Sequence, residues 1–252
     1  MKVVFCTPTR EKPHAAYLAA MEASIPLLDA HGIKHSITFE VGCPYISSAM
    51  ATLGRKALDT MPDAVIFLDD DVSWDPPSLL KLIEHPEEVV GGTYRFKKDE
   101  VEYMGSLMTG ADGKPVGEYG QKLLAKWLPS GFLKITANAI NEFMKAYPEL
   151  ICGPRYHPTI DLFNHGAHEG IWYGQDYAFC RNYAAKCGKV WLLPNLNIDH
   201  NDWRSGTVYR GNFHEFLRQQ PGGDLSSSPK PPSNVSQLHA RADELRSMLA
   251  AG

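Results

Sequence analysis

Residues 64–75 read AVIFLDDDVSWD. The first five are uniformly apolar and follow Pro62 and Asp63, which describes a strand buried on both faces, as central parallel strands are. Three aspartates then stand where that strand must end. Side chains alternate along extended chain, so Asp69 and Asp71 share one side and Asp70 faces the other. Two carboxylates on one side repel each other unless a cation or water lies between them. Hard oxygen donors suit Mg²⁺ or Mn²⁺, and such ions draw much of their remaining coordination from substrate phosphates. The competing explanation is a solvated acidic turn that caps the next helix. Asp75, directly before Pro76 and Pro77, already fills that cap position, so the triplet is not needed for it.

Outward from this stretch the chain alternates. Residues 2–7 (KVVFCT) read as a buried strand ending at Pro8, 15–31 as a helix stopped by Gly32, and 34–39 as a second strand. A helix over 47–60 precedes the 64–68 strand, a helix over 76–84 follows it, and Val89 and Val90 open another strand. Strand–helix alternation over about 95 residues predicts an α/β sandwich with a mainly parallel central sheet. Ligands of such sheets bind beyond the carboxyl ends of the strands, where the aspartates stand. Residues 93–127 are less regular and carry glycines at 105, 110, 113, 117 and 120, which predicts a hairpin or loop over one sheet edge. Beyond them come a strand over 131–135, a helix over 138–147, a helix over 177–187 stopped by Gly188, and a strand over 189–193.

Residues 1–220 therefore form one domain. Residues 221–234 (PGGDLSSSPKPPSN) have a linker's composition, and 235–252 read as a tail helix with Leu238, Leu245, Met248 and Leu249 on one face. Two roles are open for that helix: docking on its own domain, or a contact between copies in a homo-oligomer. At 252 residues and 44% hydrophobic the chain can bury one large core. A net charge of −4 is not the bulk signature of a nucleic-acid binder, though it leaves a local basic groove open. Five cysteines without a CxxC pair argue against a disulfide framework and for a reducing cytoplasm. No apolar run reaches the ~20 residues of a membrane span, and the N-terminal run is too short for a signal peptide.

Strand-Asp69-Asp70-Asp71-Val72 resembles the DxD motif of GT-A fold nucleotide-sugar glycosyltransferases of the family-2 kind. Further elements follow in the same order. Val90-Gly91-Gly92-Thr93-Tyr94 resembles a strand that follows the DxD in many of these enzymes, and Ser130–Ile135 resembles their "tGfmli" strand. Gly174-Gln175-Asp176-Tyr177-Ala178-Phe179 resembles their "GEDxxF" element, with Gln175 where Glu is common. His200 stands where many members carry a C-terminal metal ligand, and Asp199 is a weaker candidate for that role. The resemblance covers about residues 1–210. The strand-DDD-VSWDP text also looks like that of compact phage-encoded enzymes.

The resemblance implies a Mn²⁺ or Mg²⁺ ion on Asp71, Asp69 and His200, with Asp69 and Asp70 also beside the nucleotide. It implies that Thr7, Pro8, Thr9 and Arg10 cradle the base and ribose. Arg55 in the helix before the motif would face the nucleotide, although Gly54-Arg55-Lys56 departs from the family's ARN pattern. Trp203-Arg204-Ser205-Gly206 could close as a flap with Arg204 on the diphosphate. An inverting transfer needs a general base for the acceptor hydroxyl, and Asp176, at a helix N-terminus that favours the ionised carboxylate, is the candidate; a plain N-cap aspartate is the alternative. Aromatic Trp172 and Tyr173 offer a surface for sugar rings. The implied activity moves a sugar from a UDP-type donor to an acceptor that is a glycan, lipid, protein, small molecule or modified DNA base. Two other readings are open: a sugar-phosphate nucleotidyltransferase, disfavoured because CTPTREKP lacks a Gly-rich loop, and a nucleotide-sugar-binding protein without turnover.

Overall fold

A computed structural model describes residues 1–156 and 158–219. The linker and tail helix expected over 221–252 lie outside the described residues. The first half runs β1 (Lys2–Thr9), α1 (Ala15–Ala30), β2 (Lys34–Val41), α2 (Ile46–Leu58), β3 (Ala64–Leu68), β4 (Val72–Trp74), α3 (Pro76–Glu84) and β5 (Val89–Gly91). The middle runs β6 (Ser106–Leu107), β7 (Gly117–Glu118), β8 (Lys122–Trp127), β9 (Phe132–Thr136) and α4 (Ala137–Ala146). Then come β10 (Ile151–Cys152), β11 (Thr159–Ile160), β12 (Gly166–His168), β13 (Ile171–Tyr173) and α5 (Gln175–Lys186). The chain continues through β14 (Trp191–Leu192), β15 (Ile198–Asn201), β16 (Val208–Tyr209) and α6 (Phe213–Gln219).

Alternation along the central strands builds two cores, one on each face of the sheet. Val3 and Phe5 of β1 and Ala64, Ile66 and Leu68 of β3 pack with Tyr17, Met21 and Leu28 of α1 and Leu79, Leu82 and Ile83 of α3. Val4, Cys6, Val65 and Phe67 turn the other way, onto Met50 and Leu53 of α2, Ile140 and Phe143 of α4, and Phe179 and Tyr183 of α5. This is the expected α/β/α sandwich. All five β3 side chains are fully buried, and each large one contributes about 1.5–3 kcal/mol.

The sheet order is β2-β1-β3-β9-β5-β14-β8-β6, with β7 on β8. Strands β2, β1 and β3 are mutually parallel, as are β5 and β14, while β9 and β8 run against their neighbours. The sheet is thus mainly parallel in direction, and the irregular 93–127 stretch supplies its far edge through β6, β7 and β8. Strand β1 continues through Pro8 to Thr9, two residues beyond the expected stop. Its pairing with β3 ends at Cys6, so Pro8 faces only β2, and a missing donor is tolerated at such an edge. Asp75 caps α3, its side chain accepting from Ser78 N–H at 3.0 Å. A second, small sheet, β16-β15-β4, lies against the carboxyl end of β3. All five cysteines are free. Among the described residues, no helix is long and apolar enough to cross a membrane.

Candidate active site

The acidic triplet joins β3 to β4, and the small sheet clamps its backbone. Asn201 N–H and Asn201 Nδ2 both donate to the Asp71 carbonyl, at 2.8 and 2.9 Å. The antiparallel register places His200 opposite Val72, which brings a residue 129 positions down the chain beside Asp71. His200 Nε2 lies 3.5 Å from Asp71 Oδ1. Its Nδ1 is 2.8 Å from the Arg95 carbonyl, which can only accept, so Nδ1 carries a proton and Nε2 is left to face the carboxylate. Nε2 and the carboxylate thus face each other across a place for a proton or a cation. Asp199 alternates to the other side of β15 and accepts from Gly211 N–H at 3.2 Å, so the structure does not bring it to Asp71.

Val72 N–H donates to the Asp69 carbonyl at 3.2 Å, so the triplet is a tight turn and not the extended chain expected, and its carboxylates enter different environments. Asp69 accepts from the buried Tyr94 hydroxyl at 2.7 Å. Burial, and then the charge of Asp71, raise its pKa to about 7 despite that hydrogen bond. Burial also pushes Asp71 up, but His200 and Lys97 outweigh it and hold Asp71 below the ordinary carboxylate range. Lys97 Nζ donates directly to Asp71 Oδ2. Asp70 turns toward β1 and accepts from Thr9 Oγ1 at 2.5 Å; burial raises its pKa.

Two glycines let these groups converge. A Cβ on Gly131 would overlap the Asp69 carboxylate and the Tyr94 hydroxyl, and one on Gly92 would overlap the Ile198 side chain under the small sheet. Asp69 N–H also donates to the Gly131 carbonyl at 3.0 Å. Ser130, the preceding residue, reaches across to Asp176, with Oγ 3.3 Å from Asp176 Oδ1.

Asp176 is the second residue of α5, and the N-cap is Gly174, which has no side chain to offer. Asp176 is therefore not the helix cap. Helix position predicts a readily ionised carboxylate, but burial outweighs its hydrogen bonds and raises the pKa to about 6. The group is still mainly ionised at neutral pH, in the range that suits a general base. The β12–β13 hairpin leads into it and carries Trp172, 71% exposed. Tyr173 lies under the Arg181 guanidinium, 4.4 Å from ring centroid to Cζ. His165 Nδ1 meets Ser47 Oγ at 2.7 Å, which ties this hairpin to the start of α2.

The remaining expected residues divide. Thr9 and the backbone of Arg10 touch Asp70, while the Arg10 side chain and part of Pro8 are exposed at the mouth. Thr7 is fully buried and its hydroxyl meets Tyr17 at 2.7 Å, so it holds α1 to β1 rather than facing a ligand. Trp203 packs edge-on against His14, 4.7 Å between ring centroids, which lays the 202–206 turn over the β1–α1 loop. Asp202 ties that turn through Ser205 Oγ at 2.7 Å, and Arg204 is exposed on it. Arg55 is not at the site. It pairs with Asp59 at 2.6 Å and lines a surface groove with Met61, Pro62 and Ala137, at the end of the sheet where β3 begins.

Tyr94, Lys97 and Ser130 belong to the site without having been singled out as functional from the sequence. Tyr94 and Ser130 fall inside recognisable stretches, but only the β3–β9–β5 pairing shows what they touch. Among the described residues, no group of three or more His, Cys, Asp or Glu side chains is gathered as a ready-made metal cage. Asp71, Asp69 and a His200 with Nε2 directed at Asp71 do match the donors of an ion held by one or two carboxylates and completed by phosphate oxygens.

No family model matches the chain, and no curated protein sequence matches it. Among solved structures, one of GalNAc-T7 with UDP, GalNAc and Mn²⁺ is matched at 10% identity and a TM-score of 0.47. The match covers 79% of this chain, which spans 43% of that structure's length.

Proposed function

We propose that this protein is a metal-dependent GT-A-type glycosyltransferase that moves a sugar from a nucleotide-sugar donor, UDP-linked in preference, to an acceptor hydroxyl with inversion. The observation that carries this reading is the convergence of Asp69, Asp71 and His200 with Asp176 at the carboxyl rim of one sheet. Departure of a nucleoside diphosphate builds negative charge, and an ion on Asp71 and His200 would supply the compensating charge there. Asp70, Thr9 and the Arg10 backbone form the wall on which base and ribose would rest. Asp176, across the cleft, takes the acceptor proton, and Ser130 orients the carboxylate that receives it. Trp172 gives the acceptor side an apolar face. Arg204, exposed on the 202–206 turn, would meet phosphate oxygens on closure.

A donor screen tests this. The protein is incubated with Mn²⁺, a panel of nucleotide sugars and acceptors from the glycan, lipid, small-molecule and modified-DNA classes, and nucleotide release and thermal shift are followed. The proposal expects donor-dependent stabilisation that EDTA abolishes, and diphosphate release that an acceptor accelerates. Stabilisation with no release under any acceptor would assign a binding protein, and pyrophosphate release from a nucleoside triphosphate would assign a nucleotidyltransferase.

A further inference from the structure

Lys97 is the one lysine or arginine among the described residues that forms an ion pair with a member of the acidic triplet. Its backbone is anchored. Residues 95–103 form a hairpin closed by the Arg95–Tyr103 bridge and by Phe96 N–H donating to the Glu102 carbonyl at 2.9 Å. The Arg95 guanidinium ties the tip through the Lys98 and Asp99 carbonyls at 3.4 and 3.2 Å. The same hairpin supplies the carbonyl that orients His200. From this base the Lys97 side chain, 28% exposed, reaches an Asp71 side chain that is 19% exposed. Asp70 and Asp202 also lie within reach of its charge.

We propose that Lys97 is a resident counter-cation that occupies Asp71 until metal and nucleoside diphosphate arrive together, so that metal binding is coupled to donor binding. This rests on the glycosyltransferase reading of the site. The physical argument is one of charge. Asp71 Oδ2 already has a cation, and a divalent ion on Oδ1 would repel that ammonium across one part-buried carboxylate. A bare ion binds against that repulsion, or breaks the ion pair and leaves the ammonium without a partner. A diphosphate changes the balance, because its oxygens receive the displaced ammonium while they complete the ion's coordination. Removing the ammonium should therefore act in opposite directions on the two ligands: tighter binding of the bare ion, weaker binding of the diphosphate. A lysine that only supports the hairpin has no reason to give that pair of opposite effects.

The test titrates Mn²⁺ alone, UDP alone and each in the presence of the other, by calorimetry and Mn²⁺ paramagnetic resonance, into wild type, Lys97→Met and Lys97→Arg. The expected result is that UDP tightens Mn²⁺ binding to wild type by at least about tenfold. Lys97→Met should bind Mn²⁺ alone about tenfold more tightly than wild type and bind UDP in saturating Mn²⁺ several-fold more weakly. Lys97→Arg should keep the wild-type pattern. The proposal is overturned if Lys97→Met leaves Mn²⁺ affinity unchanged or moves both affinities the same way, while wild type still binds Mn²⁺ and UDP. If Lys97→Met does not fold, Mn²⁺ binding to wild type that is indifferent to UDP overturns it. If wild type binds no Mn²⁺ even with UDP, the glycosyltransferase reading falls as well.

Discussion

Asp69→Asn should stabilise the metal-free protein, and by an amount the structure bounds. Burial and the neighbouring Asp71 raise the Asp69 pKa from 3.8 to about 7. Between those values the native state holds a proton that the unfolded chain has released. Stability therefore falls as pH rises through that window and levels off above it. At about 1.4 kcal/mol per pH unit the full cost at pH 8 is ~4 kcal/mol, and water at the rim reduces it to roughly 2 kcal/mol. The asparagine keeps the shape and an oxygen for the Tyr94 hydroxyl, so the substitution removes charge and little else. Urea unfolding in EDTA at pH 5 and pH 8 is the assay. The variant should gain about 2 kcal/mol over wild type at pH 8, or roughly 4–8 °C in Tm, and clearly less at pH 5. A variant that is less stable at pH 8, or whose advantage does not depend on pH, would refute the view that these carboxylates are held at a cost.

Other outcomes follow from the same geometry. Gly131→Ala forces a Cβ into the Asp69–Tyr94 pair and should cost about 2–4 kcal/mol in urea unfolding together with the loss of Mn²⁺-dependent UDP binding; wild-type behaviour in both would show that the cleft is looser than described. His200→Ala should lower Mn²⁺ affinity in the presence of UDP by about 10–100-fold in calorimetry, and unchanged affinity would remove it from the ligand set. Asp176→Asn should leave donor binding intact and slow transfer by about 10²–10⁴-fold. Wild-type transfer should rise with pH through a midpoint near the Asp176 pKa of about 6, and a variant that keeps both rate and midpoint would exclude Asp176 as the base.

The parts of the fold that local chemistry dictates were legible in the sequence. AVIFL followed by three charges fixes β3 (Ala64–Leu68), and Asp75-Pro76-Pro77 fixes the start of α3. Both can be read because strand period and helix capping depend on near neighbours. Asp70 does part from Asp69, toward Thr9, but at a tight turn and not through the strand alternation expected. What depended on distant pairing was not legible. Tyr94 meets Asp69 only because β9 lies between β3 and β5, and Lys97 meets Asp71 only through a hairpin with no distinctive sequence. Arg55 failed for a geometric reason. It lies eight positions beyond Ser47 on α2, so at 1.5 Å per residue it is about 12 Å down the helix axis from the rim that Ser47 occupies. Thr7 failed because a hydroxyl in a binding loop and a hydroxyl that pins a helix look alike until Tyr17 is placed against it.

The most direct test of the account is a crystal structure of the protein with Mn²⁺ and UDP. It predicts manganese against Asp71 Oδ1 and His200 Nε2, bridged to the diphosphate, with Lys97 drawn off Asp71 and onto a phosphate oxygen. Manganese and UDP bound elsewhere, with the Lys97–Asp71 pair intact and only water beside His200, would contradict it.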